Sequence, residues 1–321
     1  MDQQNLIQAE GLRRRYGPTL AVDGLDLSLR KGEILGLLGP NGAGKSTTMK
    51  MLTGCLAPSA GQVRICGYDM QMQPEAAKRH LGYMPEVPPL YPELSVEEML
   101  GFAARLHGVA RAQRGTAVER AIASCGLQDM RRRLVSNLSK GYQQRVGLAQ
   151  AIIHNPDVIV LDEPTIGLDP IQIREIRTLI AELGREHSVL LSSHILPEIQ
   201  AVCDRVMIVA GGRVVYADTV AEAARARFDS VVIGLQRPPS LDMLTALADV
   251  LRVEPLDAHR FRLHCRTDTS AREAWAAAAV RHDWGLFELH PERRTLEDVF
   301  VELTAGDRPA TPEHDSKEQA A

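Results

Sequence analysis

The sequence has no long hydrophobic segment and no paired cysteines. None of its apolar runs approaches the roughly 20 consecutive residues that a transmembrane helix needs. The polar start, Met1 to Asn5, lacks the basic and apolar regions of a signal peptide. The five cysteines include no CxxC pair and show no metal-ligand spacing. We therefore expect a chain that neither spans a membrane nor leaves the cytoplasm by that route, with reduced thiols.

A large excess of charge of either sign is also missing. The formal net charge of the 321 residues is -4, so no strong positive field attracts nucleic acid or anionic lipid. Arginine runs occur at residues 13–15 and 131–133, where solvated faces or partner contacts are expected. A nucleic-acid partner is therefore not expected. The length is sufficient for one large folded unit and a smaller one.

Short apolar runs alternate with helical patterns through much of the chain. The runs at residues 33–38 and 157–161 are closed by glycine or acidic residues, as buried parallel strands usually are. Between residues 171 and 184, apolar side chains recur at three- and four-residue spacings, which predicts an amphipathic helix. This alternation predicts an α/β layered domain.

Two regions depart from the α/β pattern. Strand patterns disappear between about residues 92 and 151, which predicts a helical subdomain inserted into an α/β domain of residues 1–225. Residues 226–304 show short strands and two helical segments, at residues 241–248 and 271–280, in the order β-α-β-β-α-β, which predicts a small α+β domain. Residues 305–321 are polar and aperiodic, and we expect them to form a disordered tail.

A glycine-rich loop follows the strand predicted at residues 34–38. The loop reads Gly39-Pro40-Asn41-Gly42-Ala43-Gly44-Lys45-Ser46-Thr47 and matches the P-loop pattern G-x-x-x-x-G-K-[ST]. Its backbone N–H groups and the N-terminus of the following helix favour phosphate binding. We expect these nine residues to bind nucleotide, with Lys45 on the β- and γ-phosphates and Ser46 on Mg²⁺.

Two adjacent carboxylates follow the strand predicted at residues 158–161. Asp162 is expected to hold Mg²⁺, and Glu163 to act on the attacking water as general base. An Asp-Glu pair after a strand also serves as a helix cap, but the P-loop upstream favours hydrolysis. His194 ends another apolar strand and is expected to contact the γ-phosphate, the alternative being a structural histidine. Lys45, Glu163 and His194 are the predicted catalytic residues.

Two further segments resemble motifs of the ABC ATPase family. The segment Leu138-Ser139-Lys140-Gly141-Tyr142 resembles the family's LSGGQ-type signature. The segment Ile166-Gly167-Leu168-Asp169 resembles its D-loop. The resemblance covers about residues 6–218 and implies a P-loop NTPase fold of the ABC type. It implies that Ser139 and Gly141 contact ATP held by the P-loop of a second protomer, in a head-to-tail dimer. It also implies that Tyr16 stacks on adenine. Without it, Ser139 is an ordinary helix cap and Tyr16 a core aromatic.

Glu86 departs from the pattern of this family. The family's Q-loop usually carries a glutamine after a strand, whereas the segment Gly82-Tyr83-Met84-Pro85-Glu86 places a glutamate there. A glutamate can coordinate Mg²⁺ or water, so Glu86 is a predicted metal ligand that adds a negative charge near the phosphates. The segment after it is expected to contact a membrane subunit.

The residues around Glu86 and Ser139, together with residues 295–303, resemble bacterial gliding-motility-associated and drug- or polysaccharide-exporter ATPases of the type 2 ABC class. The resemblance implies an ATP-hydrolysing subunit that powers export through a separate permease, at the cytoplasmic face of the membrane. The alternative is an ABC ATPase that acts on ribosomes or DNA, but paired cassettes and long heptad helices are absent from the sequence. A small-molecule kinase would leave Ser139 and Gly141 unexplained.

Overall fold

The computed structural model describes residues 4–224, 230–265, 270–292 and 300. The chain divides into two compact units, of which the first ends at Val220 and the second begins at Ala221. The predicted tail and, apart from Phe300, the predicted C-terminal motif at residues 295–303 lie outside the described residues. None of the helices in the described ranges combines the length and the apolar character that crossing a bilayer requires.

The first unit alternates strands and helices along the chain. Its strands are β1 Asn5–Tyr16, β2 Thr19–Arg30, β3 Ile34–Leu38, β4 Ala60–Ile65, β5 Tyr68–Asp69, β6 Leu81–Met84, β7 Val158–Leu161, β8 Ser188–Ser193, β9 Arg205–Ala210 and β10 Arg213–Thr219. Its helices are α1 Lys45–Leu52, α2 Pro74–Arg79, α3 Val96–Leu106, α4 Arg114–Ser124, α5 Lys140–Ile152, α6 Pro170–Leu183 and α7 Leu196–Val202. A short helix, α8 Val220–Ala224, spans the boundary between the units.

The central sheet is mostly parallel, with the strand order β10-β9-β3-β8-β7-β6. β3 pairs in parallel with β8 and β9, and β7 pairs in parallel with β6 and β8. Every residue of β3 and β7 is buried, which explains why their sequences are continuously apolar. The pairing brings the carboxyl ends of β3, β7 and β8 to one edge of the sheet. The three predicted catalytic segments begin at that edge.

A second sheet, in the order β2-β1-β4-β5, is antiparallel. Ile7 of β1 and Leu29 of β2 are fully buried in a cluster that also holds Leu35 of β3 and Met49 of α1. Burying a side chain of this size contributes about 1.5–3 kcal/mol. The shared core therefore fixes α1, the helix that follows the P-loop, against both sheets.

The helical subdomain lies between β6 and β7. It contains α3, α4 and α5, and no named strand of the described chain falls between β6 and β7. α3 begins as its sequence indicates: the Ser95 hydroxyl accepts from the Glu98 N–H, and the Glu98 carboxylate accepts from the Ser95 N–H at 2.9 Å. The helix predicted at residues 171–184 is also present, as α6.

The second unit has the predicted β-α-β-β-α-β order. Its elements are β11 Ser230–Leu235, α9 Leu241–Thr245, β12 Val250–Pro255, β13 Arg260–Cys265, α10 Ser270–Arg281 and β14 Leu286–Glu292. The strands form an antiparallel sheet in the order β12-β13-β11-β14. α9 ends three residues before the predicted end at Ala248. After the helix the chain continues in turns, in which the Leu247 N–H donates to the Leu244 carbonyl and the Val250 N–H to the Leu247 carbonyl, both at 3.2 Å. The Ala248 carbonyl accepts the indole N–H of buried Trp275 at 2.8 Å.

Candidate active site

The P-loop connects β3 to α1 and lies against β9. A Cβ on Gly39 would lie 2.4 Å from the carbonyl oxygen of Val209, so glycine is needed for this close approach. Gly44, with a φ of +101°, turns the chain into α1. Lys45 and Ser46 lie in the first turn of that helix. N–H groups in a first helical turn lack intrahelical partners and are available to an anion.

The ammonium group of Lys45 is buried and paired. Its Nζ donates to the carbonyl oxygens of Gly39 at 2.7 Å and Pro40 at 3.1 Å. The same nitrogen lies 3.3 Å from Oε1 of Glu163. Lys45 is 5% exposed and Glu163 is 6% exposed, and burial of either charge without a partner would cost several kcal/mol. The pair therefore joins the P-loop to the end of β7.

Asp162 is a buried carboxylate surrounded by hydroxyl groups. Its Oδ1 accepts hydrogen bonds from Ser46 at 3.1 Å and from Ser192 at 2.7 Å. Asp162 is 2% exposed and forms no ion pair within the described ranges, since Lys45 pairs with Glu163 instead. Carboxylate and hydroxyl oxygens are hard donors of the kind that Mg²⁺ prefers. The residues at this position therefore fit a Mg²⁺ ion.

Glu163 occupies a backbone conformation that is rare for its residue type. Its φ is +48°, in the left-handed region, and its N–H donates to the Ser192 hydroxyl at 2.9 Å. Its Oε2 lies 2.9 Å from Nδ1 of His194, while its Oε1 faces Lys45. Strained residues of this kind persist where the surroundings over-determine them, often at active sites. The carboxylate of Glu163 is therefore held between an ammonium group and an imidazole.

Lys45, Ser46 and Glu163 line one pocket with a volume of about 350 Å³, and the buried Asp162 contacts it through its hydrogen bond with Ser46. The pocket is lined by Ala21, Asn41, Gly42, Gly44, Lys45, Ser46, Thr47, Glu86, Glu163 and Ile166. The structure thus brings Glu86, at the end of β6, to the same pocket as the P-loop. Gly39, Pro40 and Ala43 belong to the loop without lining the pocket, and His194 reaches it through Glu163.

Ser139 and Gly141 lie in a different pocket, of about 270 Å³. Ser139 caps α5, where its hydroxyl accepts from the Tyr142 N–H at 3.5 Å. Asp169, which caps α6, and Gln172 line the same pocket. None of its lining residues is shared with the P-loop pocket. Within one chain, the signature residues and the P-loop therefore do not form a common site.

Comparison with known proteins identifies this arrangement. The family model for the ABC transporter domain matches residues 22–166. Nod factor export ATP-binding protein I of Paraburkholderia xenovorans (strain LB400) is 34% identical over 300 residues, which cover 93% of this chain and 96% of that protein. The chain belongs to the family of ABC transporter ATP-binding proteins. Bacitracin transport ATP-binding protein BcrA of Bacillus licheniformis is 39% identical over 210 residues, 65% of this chain and 68% of that protein.

A solved structure of an ATP-binding subunit of an ABC transporter has the same fold. It superposes with a TM-score of 0.62 at 32% identity, and the match covers 68% of this chain and 92% of that chain. The expected α/β fold of the P-loop NTPase type is thereby confirmed. The chain is an ATP-binding subunit with an ABC ATPase domain.

Tyr16 of this ABC ATPase lies outside the pocket that holds the P-loop residues. It ends β1 and is 46% exposed, with the guanidinium carbon of Arg14 5.0 Å from its ring centre. Ala21, on the next strand of the same hairpin, does line the pocket. Stacking of Tyr16 on adenine stays a prediction.

Ser192 is a site residue that the sequence analysis missed. It is fully buried near the end of β8, donates to Asp162 and accepts from the Glu163 N–H. The available signal was a pair of serines closing an apolar strand just before His194. This signal is weak, because a serine in a strand has many structural roles, whereas His194 ends the strand with a titratable side chain. Ser192 therefore contacts both residues that follow β7, through the carboxylate of Asp162 and the backbone N–H of Glu163.

Replacement of Ser192 by alanine should slow ATP hydrolysis. The change leaves the buried Glu163 N–H without a partner, and we expect kcat to fall about tenfold, equivalent to about 1.4 kcal/mol. Steady-state phosphate release measures it. The control is Ser188→Ala on the same strand, since that hydroxyl is bonded to the Gly32 N–H, away from the pocket. Equal kcat values for the two variants would refute this role of Ser192.

Proposed function

We propose that this ABC ATPase powers export of a substrate through a separate permease, by ATP-driven dimer closure followed by hydrolysis. The observation that carries the proposal is the convergence of Lys45, Ser46, Asp162 and Glu163 at one sheet edge, within hydrogen-bond or ion-pair distance. The direction of transport is inferred from relatives whose names refer to Nod factor export and bacitracin transport.

The P-loop side of the pocket binds the phosphates. Lys45 leaves its contacts with the Gly39 and Pro40 carbonyls and pairs with the β- and γ-phosphates, and the first turn of α1 supplies N–H donors. Ser46, Asp162 and Glu86 are the residues that would hold Mg²⁺. A bound Mg²⁺ would neutralise charge that develops on the phosphate oxygens.

Glu163 is the general base of the proposed reaction. Once Lys45 has turned to the phosphates, Oε1 of Glu163 is available to accept a proton from the attacking water. His194 holds the other carboxylate oxygen and so orients the base. The Ser192 hydroxyl fixes the backbone of Glu163 by accepting its N–H. A carboxylate placed in this way acts on water, whereas nucleotide storage alone has no use for it.

The complete site requires a second protomer. Ser139 and Gly141 line a pocket separate from that of the P-loop, so one chain offers two half-sites. In a head-to-tail dimer, each signature pocket would face the ATP bound to the partner's P-loop. ATP then favours the closed dimer because it contacts both protomers only in that state.

The permease is the proposed second partner, and it would hold the ATPase at the cytoplasmic face of the membrane. The segment after Glu86 provides the contact in this proposal. It includes Val87, 78% exposed, and Tyr91, 47% exposed. Apolar side chains exposed next to a nucleotide pocket suit a partner that must sense the nucleotide. We assign residues 226–304 to an accessory domain and Tyr16 to stacking on adenine.

Glu163→Gln should separate ATP binding from ATP hydrolysis. The amide keeps the shape of the side chain but cannot accept the proton, so turnover should fall by about 10²–10⁴-fold while ATP still binds. The closed, ATP-bound dimer should then accumulate. Phosphate release and light scattering with ATP present measure the two effects. The exposed Glu186→Gln is the control, and turnover in Glu163→Gln at the control level would contradict the assignment.

Mixed protomers test the composite site. Lys45→Ala damages the P-loop and Ser139→Ala damages the signature, so each variant alone should be inactive. A mixed dimer contains one site with both lesions and one intact site, and ATP hydrolysis should reappear on mixing. The control mixes Lys45→Ala with the Lys45→Ala/Ser139→Ala double variant, which leaves no intact site. Failure of the first mixture to recover activity would rule out action across the dimer.

Co-purification tests the permease contact. The wild-type chain, isolated from detergent-solubilised membranes of its native host, should bring down a multispanning membrane protein. Val87→Asp should lose that protein but keep ATP binding, because it adds a charge to the proposed contact. Met72→Asp is the matched control, at a residue 82% exposed in the turn after β5. Co-purification of RNA instead of a membrane protein would favour the alternative function.

A further inference from the structure

Three side chains with different metal-binding atoms meet away from the nucleotide pocket. The thiol of Cys66, the imidazole of His80 and the carboxylate of Asp157 each offer one ligand atom, and these atoms all lie within 4.8 Å of one another. None of the three residues lines the P-loop pocket or the signature pocket. The proposed ATPase cycle therefore leaves the cluster without a role.

His80 and Asp157 are held by the central sheet. His80 follows α2 and precedes β6, and Asp157 precedes β7, so both stand at the amino edge of adjacent strands. The Val158 N–H donates to the His80 carbonyl at 3.0 Å, and the Ser188 N–H donates to the Asp157 carbonyl at 3.0 Å. Both backbones are therefore fixed before any ligand binds.

The side chains of this pair are also oriented toward each other. Nδ1 of His80 lies 2.6 Å from Oδ2 of Asp157. The ring of Tyr68 stacks on the imidazole, with 5.4 Å between ring centres and 13° between the planes. The hydrogen bond and the ring stacking together restrict the directions in which the imidazole nitrogens point.

Cys66 stands in a turn that its residue type does not favour. Cys66 and Gly67 form the two-residue connection between β4 and β5, with φ values of +49° and +85°. Asn and Gly adopt such a left-handed conformation more readily than Cys. The Cys66 N–H donates to the Leu6 carbonyl at 2.8 Å, which anchors the turn to β1. The turn itself therefore does not explain the thiol, which faces the other two ligands.

We propose that Cys66, His80 and Asp157 bind a divalent transition-metal ion of the zinc class, with water as the fourth ligand. Sulfur, imidazole and carboxylate ligands in tetrahedral arrangement are typical of Zn²⁺, at about 2.3 Å for sulfur and about 2.0–2.2 Å for nitrogen and oxygen. Such bond lengths place the ligand atoms roughly 3.3–3.8 Å apart. Metal binding would therefore move Nδ1 of His80 and Oδ2 of Asp157 apart from their present 2.6 Å, and would draw in ligand atoms that are now up to 4.8 Å apart. Rotation of the Asp157 side chain, which is 53% exposed, allows this adjustment.

The ion would act as a clip between the two sheets of the first unit. Cys66 belongs to the antiparallel sheet, whereas His80 and Asp157 belong to the edge of the central sheet. Asp157 and Asp162 flank opposite ends of β7. This strand has four residues and spans roughly 13 Å. The proposed metal site is therefore separate from the Mg²⁺ ligands proposed above, and it does not depend on the proposed transport function.

Cobalt titration of the untagged, metal-free full chain tests the site, because a thiolate bound to Co²⁺ has a charge-transfer band in the near ultraviolet. We expect the band to saturate at one equivalent of Co²⁺ and to disappear on addition of Zn²⁺. Cys66→Ser should abolish the band, while Cys55→Ser, which changes an exposed free cysteine, should keep it. His80→Ala and Asp157→Asn should each weaken Co²⁺ binding at least about tenfold.

ATP binding by Cys66→Ser provides the folding control, since the substitution lies outside the nucleotide pocket. A normal ATP affinity together with loss of the band supports the site. Absence of the band from the wild-type chain would overturn the proposal. A band that survives Cys66→Ser would overturn it as well, because another cysteine would then be the ligand.

Discussion

The parallel pairing of β3, β8 and β7 is the constraint on which the active site depends. Leu38 pairs with Ser193 and Leu161 pairs with Leu191, so the three strands end at nearly the same level. Parallel strands all deliver their carboxyl ends to one edge, which is where ligands of α/β sheets bind. Ser46 and Asp162, which are 116 positions apart, can form a hydrogen bond for this reason.

Burial of charge at that edge makes the arrangement cooperative. Lys45 and Glu163 are each almost inaccessible to water, and each compensates the desolvation of the other. Ser192 ties the carboxylate of Asp162 and the backbone of Glu163 to β8, and His194 contacts Oε2 of Glu163. In the proposed reaction, a phosphate that pairs with Lys45 would leave the Glu163 carboxylate available to accept a proton. The same contacts thus stabilise the site without nucleotide and hold Glu163 in the position that the proposed hydrolysis requires.

The separation of the two pockets in one chain supports the proposed dimer. The signature residues Ser139 and Gly141 begin α5 in the helical subdomain, whereas the P-loop begins α1 in the core. Each group lines its own pocket. A partner chain supplies the missing half in the proposed dimer, so nucleotide binding and association become one equilibrium. Coupling to a permease then requires only that the permease distinguish the two states of that equilibrium.

Much of the fold and of the candidate site could be predicted because the signals are local. The P-loop pattern, the apolar strand before Asp162 and the cap at Ser95 each lie within a few residues. Two details were beyond reach for the opposite reason. The hydrogen bond from Trp275 to the Ala248 carbonyl joins residues 27 positions apart, and the role of Ser192 depends on which strand lies beside β7.

The sequence by itself determined the fold class, the position of the phosphate-binding loop and the identity of the carboxylates, because these depend on short-range pattern and residue chemistry. Only the tertiary structure decided which groups meet. It placed Glu86 in the P-loop pocket, kept the signature residues out of it, and assembled Cys66, His80 and Asp157. No spacing rule reveals that last cluster, since its members come from a turn in one sheet and two strand starts in another. Contacts of this kind depend on how the sheets pack, and packing is a property of the whole core.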